Sequence, residues 1–310
     1  MQLPDQVILA LAGGMAGTLV SRHAESIGAG TGAATGGVAR LTGELRTGAD
    51  VRPFTLIRKR ARPAGTGRHA AGARDPRHFA YWRREPLAYA SDLLPRGPGL
   101  RAPLCYGVVG DTVYLADTTG GPESGGRAAR RLAAWQTSTP ATDPGWLAGH
   151  QLAQRLAVTS LDWADMPVAR PLLRCWARRR ELLAVVESVP TVLSHGDFHR
   201  GNLIAAGADT VVLDWATLGI APVGADLAHL ALSTLDDPVP EYLAAARGRF
   251  EPAAVRLGYT VTVLLTGISR LHWMLSGGRD VPPGYERFLL AALDGGAALC
   301  GSGWQDLAHG

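Results

Sequence analysis

The stretch Ser194–Leu203, "SHGDFHRGNL", sets two histidines, an aspartate, an asparagine and two glycines in ten positions. "PTVL" runs into it and "IAAGADTVVLDW" runs out of it. Short apolar runs rich in Val, Leu and Thr read as buried strands. The polar cluster therefore sits in a turn between two strands, "TVLSHG" and "TVVLDW". Joined by a short loop, the two are expected to pair as a hairpin and bring Asp197, Asn202 and Asp214 to one edge. Two carboxylates and an amide oxygen form a hard-oxygen set suited to Mg²⁺, which keeps waters and shares its other ligands with phosphates.

The 310 residues suffice for one large domain or two lobes with a sizeable core. A net charge of +4 is too small and too scattered to argue for nucleic acid. Three cysteines, Cys105, Cys175 and Cys300, lie far apart with no CxxC pair, which points to a reducing compartment and no zinc site. The apolar run Val7–Val20 is 14 residues long and follows Asp5 rather than a basic segment. It is too short to span a bilayer and reads as a packing helix of a cytoplasmic protein without a membrane partner.

Of 31 basic residues, 30 are arginine and one, Lys59, is lysine. Lysine differs from arginine as a compact point charge that fits beside phosphate in a tight cleft.

Along the chain, residues 26–50 are glycine-rich around a strand-like "VARLTGEL", and "FTLIRKRA" (54–61) reads as a second strand. Residues 77–94 are helical in pattern, kinked at Pro86, and 104–117 hold two short strands around a turn. "TTGGPESGG" (118–126) is the best linker. Helical stretches follow at 127–138, 146–162, 170–187, 224–235, 239–249, 252–276 and 283–299. The expected division is a strand-rich lobe, 1–117, with an N-terminal helix, and a mostly helical lobe, 118–310.

"HGDFHRGN" followed by "LDW" and "GADL" resembles the aminoglycoside phosphotransferase family, a branch of the protein-kinase-like superfamily. All four specified positions of its HGDxHxxN motif are present. The resemblance implies an α+β, bilobal, kinase-like fold and transfer of the γ-phosphoryl of ATP or GTP to a small-molecule hydroxyl. It implies that Asp197 is the catalytic base, that Asn202 and Asp214 hold Mg²⁺, that His195 braces the loop and that Asp226 ties it structurally. "FTLIRK" resembles the strand ending in a phosphate-binding lysine, Lys59, and "YWRREPLAY" the helix whose glutamate, Glu85, pairs with it. "VYLADTTG" resembles the hinge, where Leu115, Ala116 and Asp117 would read adenine. His199, two residues past the base, could neutralise charge on the transferred phosphoryl. The glycine run "GAGTGAATGG" has its own spacing, and Ala216 stands where many relatives carry an acid.

Three other readings compete. A metal hydrolase using His195, Asp197 and His199 would need further ligands, and the nearest spare, His229, sits in an amphipathic helical stretch. A dinucleotide site at the glycine run lacks a convincing strand before it. A non-catalytic nucleotide-binding protein on the same fold is the third reading, and such proteins usually lack the base or a metal ligand.

The 46 residues from Gly201 to Ala246 hold six acids and no lysine or arginine. Residues 51–101 hold 12 basic residues against three acids. This pattern suits a triphosphate on one lobe and a cationic acceptor on the other, with Asp236, Asp237 and Glu241 as acceptor contacts. The alternative is that these three acids serve the N-terminus of a helix beginning near Pro240. Asp162 and Asp165 could also line the acceptor pocket. An aminoglycoside or similar cationic antibiotic leads the acceptor classes, in resistance or biosynthesis. A choline, homoserine or sugar kinase is the runner-up.

Overall fold

The computed structural model describes residues 3–27, 34–139, 142–164 and 166–300, with main chain alone for 297–300. Most of the glycine run and Asp165 lie outside them. By packing, the chain divides into two units. The first comprises residues 1–121, 144–148 and 204–218; the second comprises 122–143, 149–203 and 219–310.

The first unit begins with α1 (Asp5–Leu11), β1 (Thr18–Ser26), β2 (Thr35–Thr47) and β3 (Asp50–Ala61). It continues with α2 (Arg84–Tyr89), β4 (Leu100–Arg101), β5 (Cys105–Val109) and β6 (Thr112–Ala116). A two-residue strand, β7 (Gly121–Pro122), falls at the boundary of the units in sequence. Five strands form an antiparallel sheet in the order β1-β2-β3-β6-β5. Leu3, Val7 and Ile8 of the α1 segment pack with Leu41, Leu45, Phe54, Leu56 and Tyr114 of the sheet. The apolar run from Val7 is thus only half helical. Gly13 and Gly14 turn the chain at φ +66° and +87°, and Thr18–Val20 opens β1. A strand does precede the glycine run, but it pairs antiparallel with the strand after it. A dinucleotide fold needs a parallel crossover there.

The expected helix over 77–94 shrinks to α2. Its cause is Arg84, which is fully buried. Its guanidinium donates to the carbonyls of Pro76 (2.7 Å), His78 (2.9 Å), Phe79 (2.8 Å) and Trp146 (3.1 Å). A loop whose carbonyls are satisfied this way needs no helix. Burial pushes the Arg84 pKa down to about 10, which leaves it charged near neutrality. Pro86 falls in the first turn of α2, where its missing N–H costs nothing.

The second unit holds α3 (Gly125–Ser138), α4 (Gln151–Ala157), α5 (Arg170–Ala177), α6 (Arg179–Val186) and β8 (Thr191–Ser194). The chain then forms β9 (Leu203–Ala206) and β10 (Asp209–Val212) in the first unit, and re-enters the second at β11 (Gly219–Pro222). Helices α7 (Ala225–Thr234), α8 (Val239–Ala246), α9 (Pro252–Ser276) and α10 (Tyr285–Cys300) complete it. The long α9 packs against α7 and α10. The expected helix 146–162 is shorter, and 170–187 is two helices meeting at Arg178.

The expected hairpin is also redrawn. "TVLS" pairs antiparallel with "GIAP", β8 with β11, rather than with "TVVLDW". The hairpin partner of β10 is β9, turned at Gly207 with φ +58°. Eight residues of loop separate "TVLS" from "LIAA", too many for a tight turn, whereas two residues separate "LIAA" from "DTVV".

Candidate active site

In the first unit, β3 presents Lys59 to two carboxylates. Its Nζ lies 2.7 Å from Glu85 Oε2 on α2 and 2.7 Å from Asp214 Oδ1 after β10. Glu85 also accepts the Trp215 backbone N–H. Burial works against the Lys59 charge, but the pull of Glu85 and Asp214 wins and holds its pKa above the usual lysine value. For Glu85, burial and the like charge of Asp214 push the pKa up, with Lys59 opposing. Asp214 takes a left-handed backbone, φ 60° and ψ 69°, one of three non-glycine residues of positive φ among those described. Such conformations are tolerated by Asp and tend to occur at functional positions.

The adenine-strip candidates end β6. Leu115 is buried, the Ala116 N–H donates to the Leu104 carbonyl (2.8 Å), and Asp117 accepts from Arg40 Nε (2.7 Å).

In the second unit, the loop after β8 is hung on Asp226. This carboxylate is buried and accepts from the backbone N–H of His195 (3.0 Å) and of Gly196 (2.9 Å). It also accepts from Ser194 Oγ (2.9 Å) and Gln136 Nε2 (3.1 Å). Gly196 has φ +77°, a conformation that favours glycine. Asp226 reaches the loop because α7 starts close to α9. A Cβ at Gly224 would lie 2.4 Å from the Val255 carbonyl, and one at Gly258 would lie 2.1 Å from that of Val223. His195 is fully buried, and its Nδ1 accepts the Asp197 N–H (3.2 Å).

Asp197 projects from this braced loop with its side chain about one-third exposed (32%). His199 Nδ1 accepts from Gly201 N–H, so the Nε2 proton faces Asp197 Oδ2 at 3.5 Å. His229 of α7 and Arg270 of α9 each approach Asp197 Oδ1 to 3.8 Å. Burial pushes the Asp197 pKa up, but the His199 hydrogen bond and neighbouring positive charge, Arg155 included, outweigh it and hold the carboxyl below the usual range. His229 adds little to this, because burial and Arg270 keep it well below the usual imidazole value and therefore neutral. Asn202 Nδ2 donates to the Asp197 carbonyl (3.0 Å), which leaves its amide oxygen to coordinate.

The remaining candidates lie elsewhere in this unit. Asp237 accepts the Val239 N–H (3.0 Å) at the start of α8 and pairs with Arg256 (2.5 Å). Glu241 pairs with Arg130, and the Asp236 N–H donates to Thr234 Oγ1 (3.4 Å). Asp162 presents its carbonyl to His272 Nε2 (2.7 Å). Sequence reasoning missed Arg155 and Arg270, since one arginine among 30 carries no mark. Among the described residues, no three His, Cys, Asp or Glu side chains form a metal cluster.

The model of the phosphotransferase enzyme family matches residues 86–257, which is more than half of the chain. This chain belongs to that family. The phosphotransferase is also similar in fold to solved structures at low identity. One is choline kinase from Cryptosporidium parvum Iowa II, at 12% identity and TM-score 0.53, covering 93% of this chain and 92% of that one. Another is a candidate fructosamine-3-kinase from Thermobifida fusca, at 18% and 0.51, covering 94% and 98%. A third is choline kinase from Streptococcus pneumoniae, at 14% and 0.50, covering 91% and 95%. No curated protein matches the sequence closely. The phosphotransferase has the protein-kinase-like α+β fold, and it is an enzyme that uses an alcohol group as acceptor. No helix among its described residues is long and apolar enough to cross a membrane.

Proposed function

We propose that this phosphotransferase moves the γ-phosphoryl of ATP or GTP to a small-molecule hydroxyl with Mg²⁺ as cofactor. The observation that carries this is the Lys59 ammonium held 2.7 Å from both Glu85 and Asp214. Two carboxylates share one cation there, a net negative charge that suits a divalent ion. The resemblance names Asn202 as the second ligand, and its amide oxygen is a hard donor of the right kind. Asp214 and Asn202 would hold Mg²⁺, which when bound neutralises phosphate charge. Lys59, aligned by Glu85, binds the triphosphate as a point charge, and the main chain at Leu115–Asp117 reads the base.

Asp197 orients the acceptor hydroxyl and takes its proton as the oxygen bonds to phosphorus. Its low pKa fits a loose transition state, in which the nucleophile needs orientation more than early deprotonation. His195 and Asp226 fix the loop.

The acceptor we place among cationic small molecules, an aminoglycoside or comparable antibiotic, on the resemblance of "HGDFHRGN" to that family's motif, because Asp237 and Glu241 of the acidic run are paired with Arg256 and Arg130. A metabolite kinase for choline, homoserine or a sugar is the second reading. A cationic acceptor would show a KM that climbs with ionic strength. The deciding experiment is nucleotide turnover over an acceptor panel with product mass detection, with and without Mg²⁺. Nucleotide binding without turnover on any acceptor would defeat the proposal. In the same assay Asp214→Asn should raise the Mg²⁺ concentration for half-maximal rate, since one anionic ligand is lost.

Lys59→Arg is expected to lower kcat/KM for nucleotide by roughly 10²-fold, since a planar fork cannot sit at the same point between two carboxylates. Steady-state kinetics checks this, and an unchanged value would remove the special role of the lone lysine.

The pH profile gives another test. A depressed carboxyl pKa adds stability above its unfolded value of about 3.9, and that stability is lost only as pH falls through the folded value. Asp197 should therefore place no acid limb on kcat/KM between about pH 5 and 7. His199→Ala removes the leading favourable contact, so burial should then raise the limb towards neutrality.

A further inference from the structure

Arg270, on α9, is the charged group beside Asp197 whose position the functional reading above leaves unexplained. Its Nη2 lies 3.1 Å from His229 Nδ1, and the neutral imidazole accepts that hydrogen bond. A guanidinium carries five N–H donors in a fixed fork. The Asp197 carboxylate, at 3.8 Å, lies beyond hydrogen-bond range and does not take up the rest. The Arg270 side chain is 29% exposed, so the fork is held in place yet open to a ligand.

The surrounding charge favours an anion. Arg155 adds to the positive potential at both Asp197 and His229. The other acid of this loop, Asp226, is engaged with Ser194, His195, Gly196 and Gln136. A planar fork with donors to spare matches the paired oxygens of a carboxylate or phosphate.

We infer that Arg270 binds an oxyanion beside Asp197. Its source is either an acidic group carried by the acceptor or the oxygens of the transferred phosphoryl. The inference rests on Asp197 as the base that positions the hydroxyl, and Arg270 then fixes the neighbouring group.

The first test needs neither turnover nor nucleotide, so it is separable from a failure of the phosphotransfer reading. Inorganic phosphate is titrated calorimetrically into the full-length protein without Mg²⁺. Arg270→Gln should weaken phosphate binding about tenfold or more, and Arg270→Lys less. Arg178→Gln, at an exposed pair with Glu181, should leave it unchanged. Melting curves identify any variant that misfolds, and the Lys variant keeps the test valid should Gln be unstable. Phosphate affinity unchanged in a folded Arg270→Gln protein would overturn the inference.

Kinetics then finds the source, using two acceptors that differ only in a carboxylate next to the hydroxyl. A KM rise confined to the acidic acceptor assigns the oxyanion to the acceptor. An equal fall in kcat on both assigns it to the phosphoryl. A shifted pH profile alone, with kcat and KM plateaus intact, would reduce Arg270 to a charge neutraliser and overturn the inference.

Discussion

Asp197→Asn is expected to slow phosphoryl transfer by roughly 10²–10⁴-fold while leaving nucleotide affinity within about twofold. The asymmetry follows from where the contacts lie. The ammonium proposed to bind triphosphate is on β3 with its partners on α2 and after β10, all in the first unit. Asp197 belongs to the second unit, on a loop whose main chain is fixed by Asp226 and not by its own carboxylate. The amide keeps the size and one acceptor oxygen, so the loop should persist. It cannot take a proton, and it loses the charge that Arg155 and His199 now stabilise. Single-turnover rates with saturating nucleotide, set beside calorimetric nucleotide binding, check both halves. A variant retaining most of its kcat would remove Asp197 from the chemistry. A parallel collapse of nucleotide affinity would mean that the two constellations are not separable.

What could be read beforehand was the chemistry written into contiguous residues. "HGDFHRGN" carries its own loop logic: a left-handed glycine, a histidine accepting the next N–H but one, and an asparagine bonding back to the aspartate carbonyl. The single lysine stood out because it was single. The partner of β8 was misread because strand pairing is a long-range choice. "GIAP" is four residues ending in proline and gives no strand pattern alone, yet it completes the pair that positions Ser194. Residues 77–83 look helical in sequence, but Arg84 satisfies the carbonyls of Pro76, His78 and Phe79 from inside, and no local propensity encodes that. Arg270 is 73 residues from Asp197, and a shift of one or two residues along α9 would face it elsewhere. Charge counting over residues 201–246 misjudged how bare the acids are, because Arg130 and Arg256 reach Glu241 and Asp237 from helices outside that window.

Asp226→Ala should cost about 3–5 kcal/mol of stability, from the buried donors that it leaves unsatisfied. Four donors converge on this carboxylate, two from the backbone of the loop that bears Asp197. Truncation to Ala takes the acceptor from the His195 N–H and the Ser194 hydroxyl, while the Gly196 N–H keeps Ser194 Oγ and Gln136 keeps the Leu193 carbonyl, and each buried donor left unsatisfied costs about 1–3 kcal/mol before relaxation. Relaxation is limited, because Gly224 and Gly258 clamp the start of α7 against the main chain of α9 and the helix cannot slide in to fill the gap. The loop must therefore give way first, taking Gly196 out of its left-handed conformation and Asp197 with it. Activity should fall with stability, in contrast to Asp197→Asn, where the fold survives intact. Asp226→Asn separates the two effects: it keeps one acceptor oxygen and the volume, so it should melt between wild type and Asp226→Ala. Denaturant unfolding of the three proteins measures this order. If Asp226→Ala melted within a degree of wild type and still transferred phosphoryl groups, the loop would have to be held by β8–β11 pairing alone, and Asp226 would be a passenger.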